Sequence, residues 1–176
     1  MSSLALEYMT DQSQMTPQLN PYSKMIAEAL FLAFPEWRQH IHNEIFEQFK
    51  GEWKECLYVK VPCPTPSKWL EEEDNCLILY TSSNESTVMW DRFHTHFSLD
   101  DEDAFEIIQE NVIQAIEFLK RLIGEEVCIA ISMKDDKWRG SQSVLPGETP
   151  EFPVGSDFYI RSWKGTYDSH SSDGDE

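Results

Sequence analysis

Hydrophobic positions recur with helical spacing in the second half of the chain. Between Ser98 and Gly124 they predict a long amphipathic helix with one apolar stripe, formed by Phe105, Ile108, Val112, Ala115, Ile116, Leu119 and Leu122. Ser98 and Asp101 have the spacing of a capping box, and Gly124 predicts the end of the helix. The opposite side of this helix is acidic, so we expect it to face solvent.

A second helical pattern occupies residues 22 to 51. Its first part predicts a helix whose buried face is formed by Met25, Ala29, Leu32 and Ala33. Pro35 is well suited to the first turn of another helix. The apolar residues of that second helix follow at intervals of four: Trp37, Ile41, Ile45 and Phe49. Gly51 predicts its end.

Extended segments are predicted between and after the helices. Residues 56 to 61 (CLYVKV) form a short strand that ends before Pro62, Pro64 and Pro66, and the acidic residues 71 to 74 predict a surface turn. The run from Thr87 to Phe97 (TVMWDRFHTHF) reads as one strand that leads into the acidic helix. The polar SSNES before it predicts a hairpin with residues 76 to 81. Further strands are predicted at residues 127 to 133 and 157 to 163, and residues 134 to 153 are predicted to have no regular secondary structure.

This order of elements predicts an α+β fold of two layers. A mainly antiparallel sheet is packed by the long amphipathic helix, with helices at the N-terminal side. We expect a flexible leader over residues 1–21, a single globular domain over 22–167, and a disordered acidic tail over 168–176.

Charge narrows the choice of partners. The formal net charge is −18 at pH 7, and residues 99 to 126 contain nine acids and two bases. Nucleic acid and anionic membranes are poor partners for such a surface, whereas basic proteins are attracted to it. No apolar run reaches the roughly 20 residues that span a bilayer, and the first residues lack the pattern of a signal peptide, so we expect a cytoplasmic protein.

Sequence motifs exclude some classes of enzyme. The chain has no Gly-rich phosphate loop, nucleophile elbow or internal repeat, which argues against nucleotide-dependent enzymes and solenoids. The four cysteines (Cys56, Cys63, Cys76 and Cys128) lack CxxC spacing, and we expect free thiols and no cofactor.

His94 and His96 leave two interpretations open. Spaced at i, i+2 on a strand, with Asp91 and Asp100 nearby in sequence, they have the ligand types of a zinc or manganese site and point to a small metal-dependent hydrolase. Alternatively, they form hydrogen bonds to loop carbonyls at the end of the strand. Metal analysis of the purified protein distinguishes these interpretations.

A group of residues within 76 to 141 resembles a known class of proteins. The matching positions are Trp90, Asp91, the segment 93 to 97 (FHTHF), the acidic helix from Asp100 to Ile123, the strand Cys128 to Ser132, and Trp138, Gly140 and Ser141. In this pattern the chain resembles immunity proteins encoded beside bacterial polymorphic toxins of the Rhs or contact-dependent type. The resemblance implies a stoichiometric inhibitor of a cognate toxin domain, without catalysis of its own or a small-molecule substrate.

Candidate partner-binding residues follow from the charge and from exposed aromatic character. The acidic side of the long helix and the polar loop after the next strand predict a joint acidic and aromatic surface. Its members are Asp101, Glu102, Glu106, Glu110, Asp135, Asp136 and Trp138.

Overall fold

A computed structural model of the chain describes residues 19–42, 55–66, 75–82, 84–98, 105–153 and 155–171, with the side chains of 105–107 excepted. Several predicted features lie outside these residues: the leader up to residue 18, the second helix beyond residue 42, the turn at 71–74, Asp101, Glu102 and the tail from residue 172.

Helix α1 spans Pro21–Ala33. The Asn20 side chain accepts a hydrogen bond from the Ser23 amide at 2.8 Å, and Pro21 supplies the helical φ of the first turn. The predicted buried face is wrong for Leu32, while Met25, Ala29 and Ala33 are partly buried against the core. The fully buried residues are Tyr22, Ser23, Ile26, Ala27, Leu30 and Phe31. Leu32 is 85% exposed. Apolar residues surround most of this helix, so spacing alone does not identify the side that meets the sheet.

Within residues 35 to 42, which the structure describes, the predicted second helix is a short 3₁₀ helix, Pro35–His40. Trp37 is buried and stacks on Phe34 with ring centroids 4.4 Å apart. Ile41 then pairs with Val59 in an antiparallel bridge, so the chain is already extended there. The prediction that Ile41 continues a helical face is therefore wrong.

The first sheet contains β1 (Tyr58–Pro62), β2 (Cys76–Thr81), β3 (Glu85–Trp90) and β4 (Phe93–Ser98), paired antiparallel in that order. The β2–β3 hairpin confirms the predicted one. The run from 87 to 97 is two strands rather than one, because the chain turns at Asp91 and Arg92 and places Trp90 opposite Phe93. Asp91 has a left-handed φ of 53°, which Asp tolerates better than most residues.

The second sheet contains β5 (Cys128–Lys134), β6 (Lys137–Val144), β7 (Asp157–Arg161) and β8 (Ser169–Ser171), in the antiparallel order β6-β5-β7-β8. Part of the segment predicted to be irregular is thus strand β6. Asp135 and Asp136 both have positive φ, as a two-residue type I′ hairpin turn requires. Residues 169 to 171 form strand β8, so the prediction that this part of the chain is disordered is wrong.

Helix α2 spans Phe105–Ile123 and covers the inner face of the first sheet beside α1. Phe118 lies 5.9 Å from the Phe93 ring and 6.0 Å from the Phe97 ring. The predicted apolar stripe is confirmed for the residues whose burial is described: Val112, Ala115, Ile116, Leu119 and Leu122 are buried and Ile108 is partly buried.

One hydrophobic core joins both helices to both sheets. From the second sheet, Ile129 and Ile131 on β5 and Trp163 just after β7 pack into this core. The α+β class is confirmed. The strands, however, divide between two antiparallel sheets where the sequence predicted one. The sheets approach each other at the β3–β4 turn, where the Ser141 hydroxyl donates a hydrogen bond to the Arg92 carbonyl at 3.0 Å.

The end of α2 depends on Glu125 as well as on Gly124. The Glu126 amide donates to the Arg121 carbonyl at 2.8 Å, and Glu125 between them has a left-handed φ of 59°. Glu125 Oε1 accepts hydrogen bonds from the amides of Lys164 at 2.7 Å and Thr166 at 3.3 Å. This carboxylate therefore ties the end of α2 to the turn that follows β7.

Glu125 should make stability depend on pH. Burial alone would raise the pKa of its carboxyl, but hydrogen bonds from Thr166, Ser162 and Lys164 outweigh that effect and the net pKa is lowered. A carboxyl with a lowered folded-state pKa stabilises the fold above its ordinary pKa of about 4.3, and this contribution is lost as pH falls through the folded-state value. We expect Glu125→Gln to lower the urea midpoint at pH 7 and to matter progressively less below about pH 4. Glu126→Gln is the exposed control, and an equal loss at all pH values would contradict the expectation.

Candidate functional site

The outward side of α2 carries the acidic residues that the sequence predicts. Glu110 and Glu117 are exposed, while Glu106 lies in the first turns of α2 with its side chain outside the described part. Gln114 donates to Glu110 at 3.2 Å, and Lys120 forms an ion pair with Glu117 at 2.6 Å. Both contacts lie on the solvent side of the helix.

The other predicted binding residues lie at the end of the β5–β6 hairpin. Asp135 and Asp136 form its turn, and Trp138 on β6 is 42% exposed. Three bases occupy the same hairpin end: Lys134, Lys137 and Arg139. Residues 134 to 139 thus carry two acids and three bases, so this end has a local formal charge of +1. The hairpin end is therefore a mixed-charge aromatic surface rather than an acidic one.

The structure gives no direct link between these two groups. Within the described ranges, no hydrogen bond, ion pair or ring contact connects Asp135, Asp136 or Trp138 to α2. The joint surface that the sequence predicts stays a prediction.

His94 and His96 lie side by side on the outer face of β4, with ring centroids 5.2 Å apart. His96 Nδ1 is 2.9 Å from Glu85 Oε1 and 3.0 Å from Thr87 Oγ1, and Thr87 is its cross-strand partner on β3. These contacts are to side chains of the neighbouring strand, not to the loop carbonyls that the sequence predicts. Among the described residues, no group of three or more His, Cys, Asp or Glu side chains is arranged to hold a metal ion.

Asp91 belongs to a buried ion network that sequence reasoning missed. Its Oδ2 accepts a hydrogen bond from Arg161 Nε at 2.8 Å, and both side chains are at most 1% exposed. The same guanidinium donates to Asp168 Oδ2 at 2.5 Å and to the Thr65 carbonyl at 3.2 Å. Burial alone would lower the pKa of Arg161, but Asp91 and Asp168 outweigh it and raise the pKa. Arg161 therefore stays charged and joins three distant segments.

The cysteines show no sign of nucleophilic activation. All four are free, as the sequence predicts, and Cys56, Cys76 and Cys128 are buried. Burial raises the pKa of the Cys128 thiol to about 11, with Glu125 and Asp168 adding to the effect. A nucleophilic cysteine needs a lowered pKa, so Cys128 has the opposite property.

Between α1 and α2 the described residues form an open, largely apolar groove that the sequence did not predict. Its volume is about 450 Å³, and its lining residues are Met25, Glu28, Ala29, Leu32, Gln109, Val112 and Ile113. Leu32 is 85% exposed and Ile113 is 60% exposed. The sequence signal for this groove is Ile113, an apolar residue that interrupts the polar side of α2. It lies outside the regular apolar stripe of the helix.

Comparison with protein-family models, curated proteins and solved structures finds no match to this chain. Within the described part of the chain, neither helix combines the length and apolar character needed to cross a membrane. The function therefore has to be argued from the residues themselves.

Proposed function

We propose that this chain is an immunity protein that binds a cognate toxin domain and occludes its active site. The observation that carries the proposal is the strong acidic excess, −18 over the chain, combined with an α2 helix that buries its apolar side and presents Glu110 and Glu117 outward. An acidic inhibitor complements an enzyme with a cationic cleft, such as a nuclease. The toxin would be basic and act in the cytoplasm, where its inhibitor would also reside.

Electrostatic and apolar contacts have separate parts in this proposal. Exposed carboxylates speed the encounter with a basic domain, whereas a few desolvated apolar anchors supply most of the affinity. In this proposal the role of the histidine pair is structural, because Nδ1 of His96 is already within hydrogen-bond distance of Glu85 and Thr87. No cofactor is required for inhibition by occlusion.

The direct test is protection against a toxin. The upstream gene is inspected for a large secreted toxin, and the toxin domain found there is expressed from an inducible promoter. Co-expression of the chain should restore growth, and the purified pair should form a 1:1 complex that blocks the toxin's enzymatic activity. Growth arrest that persists, with no complex between the purified proteins, would rule the proposal out.

Charge reversal at three acids close in sequence to the first residues of α2 should weaken that complex. Changing Asp101, Glu102 and Glu106 to Lys is expected to reduce affinity more than tenfold, about 1.4 kcal/mol, mainly through slower association. Because exposed charges are screened beyond about 8–10 Å at physiological salt, the parent's association rate should fall steeply between low and physiological ionic strength. Surface plasmon resonance at several salt concentrations measures both effects.

A charge-matched control separates local from overall charge. Reversing Glu126, Glu151 and Asp157 changes the net charge from −18 to −12, as the first variant does. Equal loss of affinity in the two variants would mean that only overall charge matters. An unchanged affinity in the first variant would place the contact surface elsewhere.

A further inference from the structure

Aliphatic side chains are exposed to solvent at the groove between α1 and α2. Folded proteins usually bury such side chains or use them to bind a partner. Leu32 and Ile113 lie on adjacent helices and line the same depression. Single exposed aliphatic residues are common, but two that flank an apolar groove form a contiguous patch, and such patches mark binding surfaces. Leu145, which is 53% exposed, is not among the residues that line this groove and provides a natural comparison.

The shape of the groove suits a helix. Its α1 wall runs from Met25 to Leu32, seven helical steps or about 10 Å along the helix axis. That length accommodates about two turns of a third helix, whose residues at i, i+3, i+4 and i+7 would meet the apolar lining. Ala29 between Met25 and Leu32 is small, so the surface recedes where a side chain of the incoming helix can insert.

The charged residues at the rim of the groove favour an occupant with basic residues. Glu28 lines it from α1, and Ile113 lies between Glu110 and Glu117 on α2, one turn away on either side. Lys120 already pairs with Glu117, and Lys24 lies one turn before Glu28. None of the lining residues is basic. With three acids (Glu28, Glu110 and Glu117) and two bases (Lys24 and Lys120), the rim has a local formal charge of −1. A second copy of this chain would bring like net charges together on apposed rims, whereas a segment with basic flanks would neutralise the acidic excess.

We propose that this groove receives an amphipathic helix with basic flanks, contributed by the toxin domain. The inference rests on the proposed function in taking the toxin as the source of that helix. Leu32 and Ile113 are the apolar anchors, and Glu28 and Glu110 orient the basic flanks. The binding surface then centres on the α1–α2 groove rather than on the β5–β6 hairpin end.

A peptide titration tests the groove without the toxin. The probe is a synthetic helical peptide of about 15 residues with Leu at i, i+3, i+4 and i+7 and Lys on its flanks; a scrambled peptide of equal composition is the control. Addition to the ¹⁵N-labelled protein should shift the amide signals of Met25, Ala29, Leu32, Val112 and Ile113. The scrambled peptide, and a version with Glu in place of Lys, should bind at least tenfold more weakly.

Matched substitutions locate the contact. Leu32→Gln with Ile113→Gln keeps charge and helix propensity, and it should weaken peptide binding more than tenfold, whereas Leu145→Gln should change it less than twofold. Absence of binding to the parent, equal binding of the scrambled peptide, or unchanged binding to the double variant would overturn the proposal. A parent dimer that dissociates in the double variant and ignores the peptide would identify a second copy as the occupant, which also overturns it.

The toxin pair distinguishes failure of this inference from failure of the proposed function. If the double variant binds the toxin domain and protects cells as the parent does, the groove is not the toxin's contact and the immunity function stands. If the parent itself neither binds nor protects, the immunity function fails. The peptide result then decides whether the groove binds basic amphipathic helices of another partner.

Discussion

Replacing Arg161 with Met should reduce the free energy of unfolding by about 3–5 kcal/mol. The substitution keeps most of the side-chain volume but leaves the Asp91 carboxylate buried, without the guanidinium 2.8 Å away. It also removes donors to Asp168 and to the Thr65 carbonyl. A buried charge that loses its partner is far more destabilising than a lost surface ion pair, because water cannot replace the missing contact.

Two further variants make the Arg161 result specific. Lys120→Met breaks the exposed ion pair with Glu117 and should change stability by less than about 1 kcal/mol. Adding Asp91→Asn to Arg161→Met removes the buried negative charge, and Asn tolerates the left-handed backbone at this position. The double variant should therefore be more stable than Arg161→Met alone in urea denaturation. A single-variant loss as small as that of Lys120→Met would show that the network contributes little.

Local patterns explain which elements the sequence predicted well. Helix α2 has a regular apolar stripe and a polar opposite side, so its periodicity identifies both its extent and its buried face. Strands β2 and β5 are continuous apolar runs, and the hairpin turn before β3 is rich in Ser and Asn. Each of these signals lies within a few consecutive residues.

The missed features depend on distant residues or on exposure to solvent. The turn between β3 and β4 contains neither Gly nor Pro, and Asp91 there is paired with Arg161, 70 residues away in sequence. Strand β6 (KWRGSQSV) is polar because most of its side chains are exposed, so it resembles a loop. In α1, apolar residues on several sides left the choice of buried face to tertiary packing.

The residues behind the family resemblance are mostly structural in this fold. Trp90 is core, Asp91 pairs with Arg161, and Phe93 packs on Phe118. Ser141 bonds the Arg92 carbonyl and so connects the two sheets. These residues specify the scaffold, and the scaffold alone does not determine a partner. The α1 wall of the groove lies outside the resembling span of residues 76 to 141, so the resemblance carries no information about that wall.

Trp90→Ala should cost about 3–5 kcal/mol of stability, because deletion of a buried aromatic side chain leaves a cavity. Trp90 is 1% exposed and lies 5.7 Å from the Trp163 ring, with the Arg161 guanidinium 5.7 Å from its own ring. The matched control is Trp138→Ala, the same deletion at a residue that is 42% exposed. Its effect on stability should stay within about 0.5 kcal/mol.

The two tryptophan variants also separate fold from binding. Trp138→Ala should weaken toxin binding more than tenfold if the hairpin end belongs to the interface as the sequence predicts, and should leave it unchanged if the α1–α2 groove carries the contact alone.

Trp90 touches Arg161, so the variant that combines Trp90→Ala with Arg161→Met should lose less stability than the sum of the two single losses. Thermal denaturation of the parent, of Trp90→Ala, of Arg161→Met and of the double variant measures this coupling. Strict additivity would mean that the aromatic pair and the ion network stabilise the junction of the sheets independently.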